Sequence, residues 1–549
     1  MSNAAIYLHP NAFDTTGKVL LGRHSAGESF LRGYMRHADV DGFHFWNVGG
    51  QPQAAMDALV QRIEPPARPV RWIGMADRHQ LSNPGVVSIS SPSLDTEAFH
   101  RQPFGSRAYA LCGLTHTTAT ANVMRILPDL LIAPVEGHDA LICTSSAVRA
   151  AVEAQLDMMR AYMAAEYGPR RRPELMRTTI PLGVNAADFA TTPQRRAAWR
   201  ERLDIPADAF VALYVGRFSV KVKMNPALMA MALERAAQRT GKPLYWVNSG
   251  WVEPASAEAT FHAEVRKLCP SVTYIDVDGR QPDVRFSIWS VADAFISFSD
   301  NIQETFGLTP IEAMAAGLPS VVSDWDGYKD TVRHGVDGFR IPTVAPRPGY
   351  GGDLAYWFAN AWINYDNYVG ATAQYTAVDL AAAEAALVAL IEDEGLRRTM
   401  GAAARARARE VFDWQAIIPQ YQALWAEQNA RRLAAGPDTL PRLNPYRPDP
   451  YTLFAGYPSR HLQQRDLVAL RPGMDWPTAR VRLDAPLAVY SRFNRPNAQE
   501  LERVFGRLAQ GPATVLELLD LVAQARRNYL ERGLIWLARH DVVTLEAVP

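Results

Sequence analysis

Short apolar runs alternate with stretches of helical period along most of this chain, the pattern that predicts βαβ units and parallel sheets. In the first third the expected strands are "AIYLHP", "VRWIGM", "GVVSIS", "AYALCGLTH", "DALICTS" and "RTTIPLGV". A helix is expected from Ala147 to Gly168, with Ser145 and Ser146 as capping candidates. From Ala186 to Asp208 the pattern gives way to a charged stretch, read as an interdomain connection. A second alternating series opens with "FVALYVGRF" and a helix from Asn225 to Thr240, and continues through "PLYWVNSG", "VTYIDV", "DAFISFS", "PSVVSD" and "GFRIP". Leu354 to Leu433 reads mostly as helix. These patterns imply an α/β protein with two doubly wound parallel-sheet domains, 1–190 and 191–435, facing each other across a cleft. The stretch 436–479, rich in Pro, Tyr and Arg, reads as a linker, and 480–549 as a separate small domain.

Composition sets limits on this picture. A chain of 549 residues is too long for one core. Lysine plus arginine and aspartate plus glutamate both number 57, so net charge gives no case for nucleic acid or an anionic membrane. Cys112, Cys143 and Cys269 stand far apart in apolar runs, which suits buried thiols better than disulfides or a zinc spacing. The opening "MSNAAIYLHP" lacks the features of a secretory signal, and no apolar run reaches the roughly 18 residues of a membrane span. A cytoplasmic enzyme is the expectation.

The most informative stretch is "NIQETFGLTPIEAMAAGLPSVVSD", Asn301 to Asp324. Thr309, Pro310, Ile311 and Glu312 have the form of a capping box with proline at the first helical position, and Gly317 suits the left-handed residue that ends a helix. On that reading Glu312 satisfies an orphan amide and Glu304 is a loop carboxylate. The same stretch also suits a phosphate site. A helix following a parallel strand presents free amides and partial positive charge outside the carboxyl end of the sheet. Thr305 to Leu308 would supply the amides, and the two glutamates would accept hydrogen bonds from sugar hydroxyls.

"ETFGLTPIE", continuing through "AMAAGLPSVVSDWDG", resembles the E-x7-E signature of the retaining GT4-type glycosyltransferases of the GT-B superfamily. The resemblance implies two facing Rossmann-like domains and a nucleotide diphosphate sugar donor, UDP- or GDP-linked, with no tightly bound cofactor. It assigns Glu304 to the donor sugar, Glu312 to the ribose, and Thr305, Phe306, Gly307 and Leu308 to the diphosphate. "YVGRFSVKVKMNP" resembles the family's Gly-Arg-…-Lys element. Gly216 then approaches the nucleotide, while Arg217 and Lys223 neutralise the diphosphate; Lys221 competes with Lys223 for that role. In the first domain "GRHSAGESFLRG" resembles the glycine-containing loop and helix that face donor and acceptor, which points to Ala26 and Gly27. "CGLTHTT" places His116 near the transferred sugar, and "IPLGVNAADF" places Gly183 in the cleft. The resemblance spans about Leu20 to Trp425 and implies transfer of a hexose to a hydroxyl acceptor that it does not identify.

Departures from the family pattern bear on three further expectations. "DWDGYKD" has Asp330 where relatives carry a glutamate, and Asp324-Trp325-Asp326 has the Asp-x-Asp form of a metal site. The same triplet recurs at Asp276–Asp278 and Asp39–Asp41, and with two cations already available no metal is expected. The helix bearing Met158, Met159 and Met163, followed by Arg170, Arg171 and Arg172, is expected to pack into a core; peripheral contact with the inner face of a membrane is the alternative. The tail, with "TVLELLDLVAQ", "ARRNYLERGLIWLARHD" and a strand "VVTLE", looks like a small winged-helix arrangement. Its expected role is a protein contact or self-association, rather than nucleic-acid binding through Arg526, Arg527 and Arg532. A nucleotide-sugar epimerase of the same fold and a non-catalytic sugar-nucleotide scaffold are the competing functions.

Overall fold

The computed structural model describes residues 3–15, 22–168, 174–223, 225–252, 255–437, 444–491 and 494–548. Arg170, Arg171 and Arg172 lie outside the described residues. The chain divides into two compact units, Met1–Leu443 and Asn444–Pro549.

The larger unit contains two parallel sheets. The first comprises β1 (Ala5–Leu8), β2 (Phe43–Asn47), β3 (Val70–Ile73), β4 (Val86–Ile89), β5 (Ala110–Leu114), β6 (Ala140–Cys143) and β7 (Met176–Thr179), in the order β3-β2-β1-β4-β5-β6-β7. The second comprises β8 (Phe210–Phe218), β9 (Leu244–Val252), β10 (Thr273–Asp278), β11 (Ala294–Ser297), β12 (Ser320–Ser323) and β13 (Gly338–Ile341), in the order β10-β9-β8-β11-β12-β13. Every expected strand forms, because parallel strands covered on both faces read as continuous apolar runs. β2, "FHFWN", joins them beside β1. The three cysteines are free and buried.

The charged stretch after Ala186 is an ordered part of the second lobe. Thr192 caps a helix, Pro193–Arg202, whose Trp199 and Arg200 are buried. Arg196 and Arg200 both reach Asp293, at 2.5 and 2.8 Å, and Arg200 also donates to the carbonyls of Pro206, Ala207 and Ala209. The expectation of a connecting stretch rested on its charge, and the carboxylate and carbonyls that collect the arginines lie elsewhere in the chain.

The last helix of this unit, Trp414–Ala434, crosses back to the first lobe, so the trailing helices do not all belong to the second domain. Gln422 exchanges hydrogen bonds with the backbone of Asp39, at 3.1 and 3.0 Å, and Gln428 donates to the carbonyls of Leu111 and His138. Trp414 is 1% exposed, and its indole N–H donates to Ser29 Oγ at 2.8 Å. A Cβ on Gly33 or Gly183 would lie 2.3 or 2.7 Å from its side chain, so both positions require glycine for packing.

Ser145 caps the helix Ser146–Tyr167 as expected. Only Val148, Val152 and Leu156 of that helix are buried, and Met158 is exposed, which corrects the expectation of core packing along its length. Its second half has apolar side chains without enough opposing surface to cover them. Among the described residues no helix is long and apolar enough to cross a membrane.

In the smaller unit, Leu467–Leu470 is the central strand of an antiparallel sheet, flanked by Ala513–Thr514 and Val543–Glu546. Four helices pack on it: Trp476–Leu483, Ala498–Leu508, Val515–Leu519 and Arg527–Arg539. The segment 444–479 therefore belongs to this unit, and the 436–479 linker and the domain start at 480 are corrected. The strand "LVAL" pairs with residues more than forty positions downstream, which no local pattern reveals. Arg526 makes a two-bonded ion pair with Glu500, at 2.7 and 2.8 Å, and Arg527 pairs with Asp520.

Candidate active site

The second lobe builds its site where the sheet order reverses, between β8 and β11. Ligands of open α/β sheets bind outside the carboxyl ends of the strands at such a point. Gly216, near the end of β8, has φ 153°. A Cβ on Gly250, its register partner on β9, would lie 1.8 Å from the Gly216 carbonyl oxygen. This close approach of backbones makes the end of β8 narrow, and Arg217 follows on the same strand, half-buried. Burial raises the phenols of Tyr214 and Tyr365, and the charge of Arg217, near both, opposes that rise.

Lys223 Nζ stands 3.3 Å from Glu304 Oε2. Lys221 instead donates to Asn367 Oδ1 at 2.7 Å on the outer side of the loop, so Lys223 is the lysine that the fold brings to Glu304. The two loops are held together by Asn301, which is fully buried. Its Nδ2 donates to the Lys221 carbonyl at 2.7 Å, while its Oδ1 accepts from the Gln303 amide at 2.9 Å. Nothing in the sequence pattern marked Asn301.

The capping box does not form. The helix is Leu308–Ala316, with Gly307 at its N-cap in a left-handed conformation (φ 80°) and no side-chain cap, so Pro310 stands at its third position rather than its first. Thr309 turns its hydroxyl to Tyr328 instead. Gly317 ends the helix at φ 81° as expected. Gly307 could not be another residue: its Cβ would lie 2.1 Å from the Tyr328 ring, and a Cβ on Gly327 would lie 2.4 Å from Phe306 Cα. The turn 305–308 thus nests in the turn 325–328, with Phe306 fully buried beneath it. The amide of Thr305 is engaged by its neighbour's Glu304 Oε1 at 3.3 Å, and its carbonyl accepts from Ser145 Oγ at 2.7 Å. A helix N-terminus without a side-chain cap leaves first-turn amides for an anion.

Glu312, released from capping, is half-buried and lines a small cavity between the lobes with Ser29, Arg32, Gly183 and Arg285. Burial pushes its carboxyl up to about 7, and Arg285 pulls it back. Gly27 and Ala26 lie within the helix Gly22–His37 rather than on a loop. A Cβ on Gly27 would lie 2.0 Å from the Ala12 carbonyl oxygen, which gives this glycine a packing reason. Gly27 and His116 both line the larger cavity of the first lobe.

The two lobes meet at the cap of the helix Ser146–Tyr167. Asp330 accepts from the Ser146 amide at 2.6 Å and from its hydroxyl at 2.7 Å, and Ser145 Oγ also approaches Asp326 Oδ1 at 3.4 Å. Asp326 has φ 44°, and burial with the nearby Glu304 charge raises its carboxyl to about 8. Asp324 faces Arg340 at 3.4 Å, so the two carboxylates of Asp-x-Asp serve different partners. Asp300, 3% exposed, precedes the Asn301 staple; burial lifts its carboxyl to about 7, against hydrogen bonds from its own amide and that of Asn225.

One comparison with known proteins falls within this lobe. Residues 195–347 match the family model for glycosyl transferases group 1, a segment that contains Arg217, Lys223, Glu304 and Glu312. A D-inositol 3-phosphate glycosyltransferase of Thermobispora bispora is 32% identical over 177 residues, 31% of this chain and 40% of that one. A lipopolysaccharide 1,2-N-acetylglucosaminetransferase of Salmonella typhimurium is 26% identical over 191 residues, 34% of this chain and 49% of that one. The chain thus spans less than half the length of these relatives. A crystal structure of Anabaena Alr3699/HepE in complex with UDP superposes with a TM-score of 0.50 at 16% identity, covering 78% of this chain and 100% of that one. The fold is GT-B: two Rossmann-like parallel-sheet lobes with a cleft between them.

Proposed function

We propose that this protein is a retaining, metal-independent glycosyltransferase that moves a hexose from a UDP- or GDP-linked donor to a hydroxyl acceptor. The observation that carries the proposal is the Lys223–Glu304 pair, held by Asn301 at the switch point beside the uncapped helix Leu308–Ala316. The matching family segment and the curated relatives' names support it. Arg217, Lys223 and the amides from Phe306 to Leu308 take the diphosphate and stabilise its negative charge as it leaves. Glu304 accepts from hydroxyls of the donor sugar, and Glu312 from the ribose, in a cavity that Gly183 also lines. The bond from the anomeric carbon to the diphosphate oxygen breaks. The acceptor oxygen bonds to that carbon on the same face, and its proton passes to the departing phosphate. No second carboxylate need act as a nucleophile, so Glu304 positions the sugar. His116 stands on the acceptor side. Closure of the lobes through Ser146 and Asp330 excludes water that would hydrolyse the donor.

The test is a panel of UDP- and GDP-hexoses, with binding read by calorimetry and turnover by nucleotide diphosphate release. Binding of at least one donor, with release that depends on an added alcohol and a product of unchanged anomeric configuration, is the expected result. Failure to bind every nucleotide sugar would remove the proposal, and donor conversion without an acceptor would favour an epimerase.

A further inference from the structure

The first lobe has its own switch point, between β1 and β4. The segments following β1, β4 and β5 surround a cavity of about 510 Å³ there, lined by Asn11, Ser90, Ser91 and His116 among others. That volume lies within the range of about 300–1,000 Å³ typical of small-molecule sites. The second lobe's switch point is the donor site, so the chain places one crevice of this kind in each lobe.

We propose that this cavity binds a compact, uncharged, largely apolar alcohol or phenol, which is the acceptor. The inference rests on the glycosyl-transfer reading and names the chemical class that the reading leaves open. The fully buried part of the lining is Ile6, Phe13, Cys112, Ile142, Trp414 and Tyr421, a surface that rewards loss of water from apolar carbon and aromatic rings. Tyr421 is 2% exposed, and its hydroxyl has no hydrogen-bond partner. With that hydroxyl sealed from solvent, Tyr421 offers the cavity its ring rather than a polar group. Among the described lining residues there is no lysine, arginine, aspartate or glutamate, so a phosphorylated acceptor would find no counter-charge on them.

One polar residue of the lining, Thr117, reaches the second lobe. Thr117 hydrogen-bonds to the Tyr365 hydroxyl, and Ala119, two residues on, packs against Val222 and Val369. Val222 directly precedes Lys223, so the mouth of the cavity abuts the loop that carries the donor-site lysine. A ligand seated with its apolar body against Trp414 would present its hydroxyl beside His116 and Thr117, toward the donor.

The experiment uses the full chain with 1-naphthol as the apolar probe, inositol 1-phosphate as the charged one, and UDP and GDP as separate reporters of the donor site. Two variants fill the cavity from different walls, Ser90→Leu on the segment after β4 and Val123→Phe on the helix Ala121–Asp129. Calorimetry should show saturable binding of 1-naphthol to the wild type and at least a tenfold loss in each variant. Affinity for UDP or GDP should stay within about twofold, which also reports that the variants fold. With a donor that binds, 1-naphthol should be glycosylated and inositol 1-phosphate should not. Absence of naphthol binding, equal binding to both filled variants, or preferential use of inositol 1-phosphate would overturn the inference while nucleotide binding stands. Naphthol binding without any binding of nucleotides or nucleotide sugars would overturn the donor-site reading, and with it the acceptor role of the cavity.

Discussion

Lys223 Nζ lies 3.3 Å from Glu304 Oε2, although 81 residues separate the two in sequence. The ion pair joins the loop after β8 to the loop after β11, the two strands at which the sheet reverses order. Glu304 holds the lysine's charge; on the proposed reading a diphosphate would draw the lysine away and leave the carboxylate to accept from a sugar.

Glu304→Gln keeps the shape but weakens the acceptor, and turnover should fall by about 10²-fold or more, the usual scale for removing one group that stabilises a transition state. Affinity for the nucleotide diphosphate should change only a few-fold, because on the proposed reading the amides from Phe306 to Leu308 and Arg217 still meet it. Steady-state kinetics with parallel calorimetry reads both quantities. Unchanged turnover would remove the assigned role.

Asn301→Ala should cost about 1–3 kcal/mol of stability, the usual penalty for stranding a buried carbonyl such as that of Lys221. Denaturant melts measure that loss. Because the staple sets the spacing of the Lys223 and Glu304 loops, turnover measured well below the melting temperature should fall as well. A stability loss with normal turnover would show that the loops keep their spacing unaided.

Asp330→Ala removes both acceptors from Ser146, a capping interaction worth about 0.5–2 kcal/mol, and here it spans the two lobes. The expected outcome is a larger radius of gyration for residues 1–443 by small-angle scattering, together with a raised donor KM. An unchanged scattering curve and KM would mean that the lobes hold together without this cap.

Asp300 gives a pH dependence of defined sign. Its carboxyl ordinarily titrates near 3.8, and burial lifts it to about 7 in the folded chain. Between those values the folded state holds a proton that the unfolded state has lost, so this residue's contribution to stability decreases as pH rises from about 4 to about 7. Asp300→Asn should flatten that part of the profile and gain on the wild type at pH 8 relative to pH 5, by an amount on the order of a few kcal/mol. Thermal melts across the range test it. An unaltered slope would show that Asp300 ionises normally.

Much of the fold was legible because its signals are local. Parallel strands covered on both faces appear as apolar runs, and "FVALYVGRF" coincides with β8, Phe210–Phe218, residue for residue. Gly317 was legible as a helix end because a left-handed φ favours glycine. The capping box misled because Thr-x-x-Glu is equally local, but Gly307, wedged against Tyr328, sets the helix start two residues earlier. The stretch holding Pro193–Arg202 read as an interdomain connection because Asp293, which collects its arginines, lies some ninety residues away.

What the sequence determined by itself is the pair of doubly wound sheets and the identity of the groups in the glutamate stretch, since period, turn chemistry and motif spacing are carried by neighbouring residues. Only the tertiary structure decided which lysine meets Glu304, that Asn301 ties the loops, that Asp330 caps a helix of the other lobe, and that a cavity with apolar depth opens beside His116. Each of these depends on side chains brought together by chain crossings between and within the sheets. Their energies come from close packing and buried hydrogen bonds between residues far apart in sequence, which no local pattern encodes.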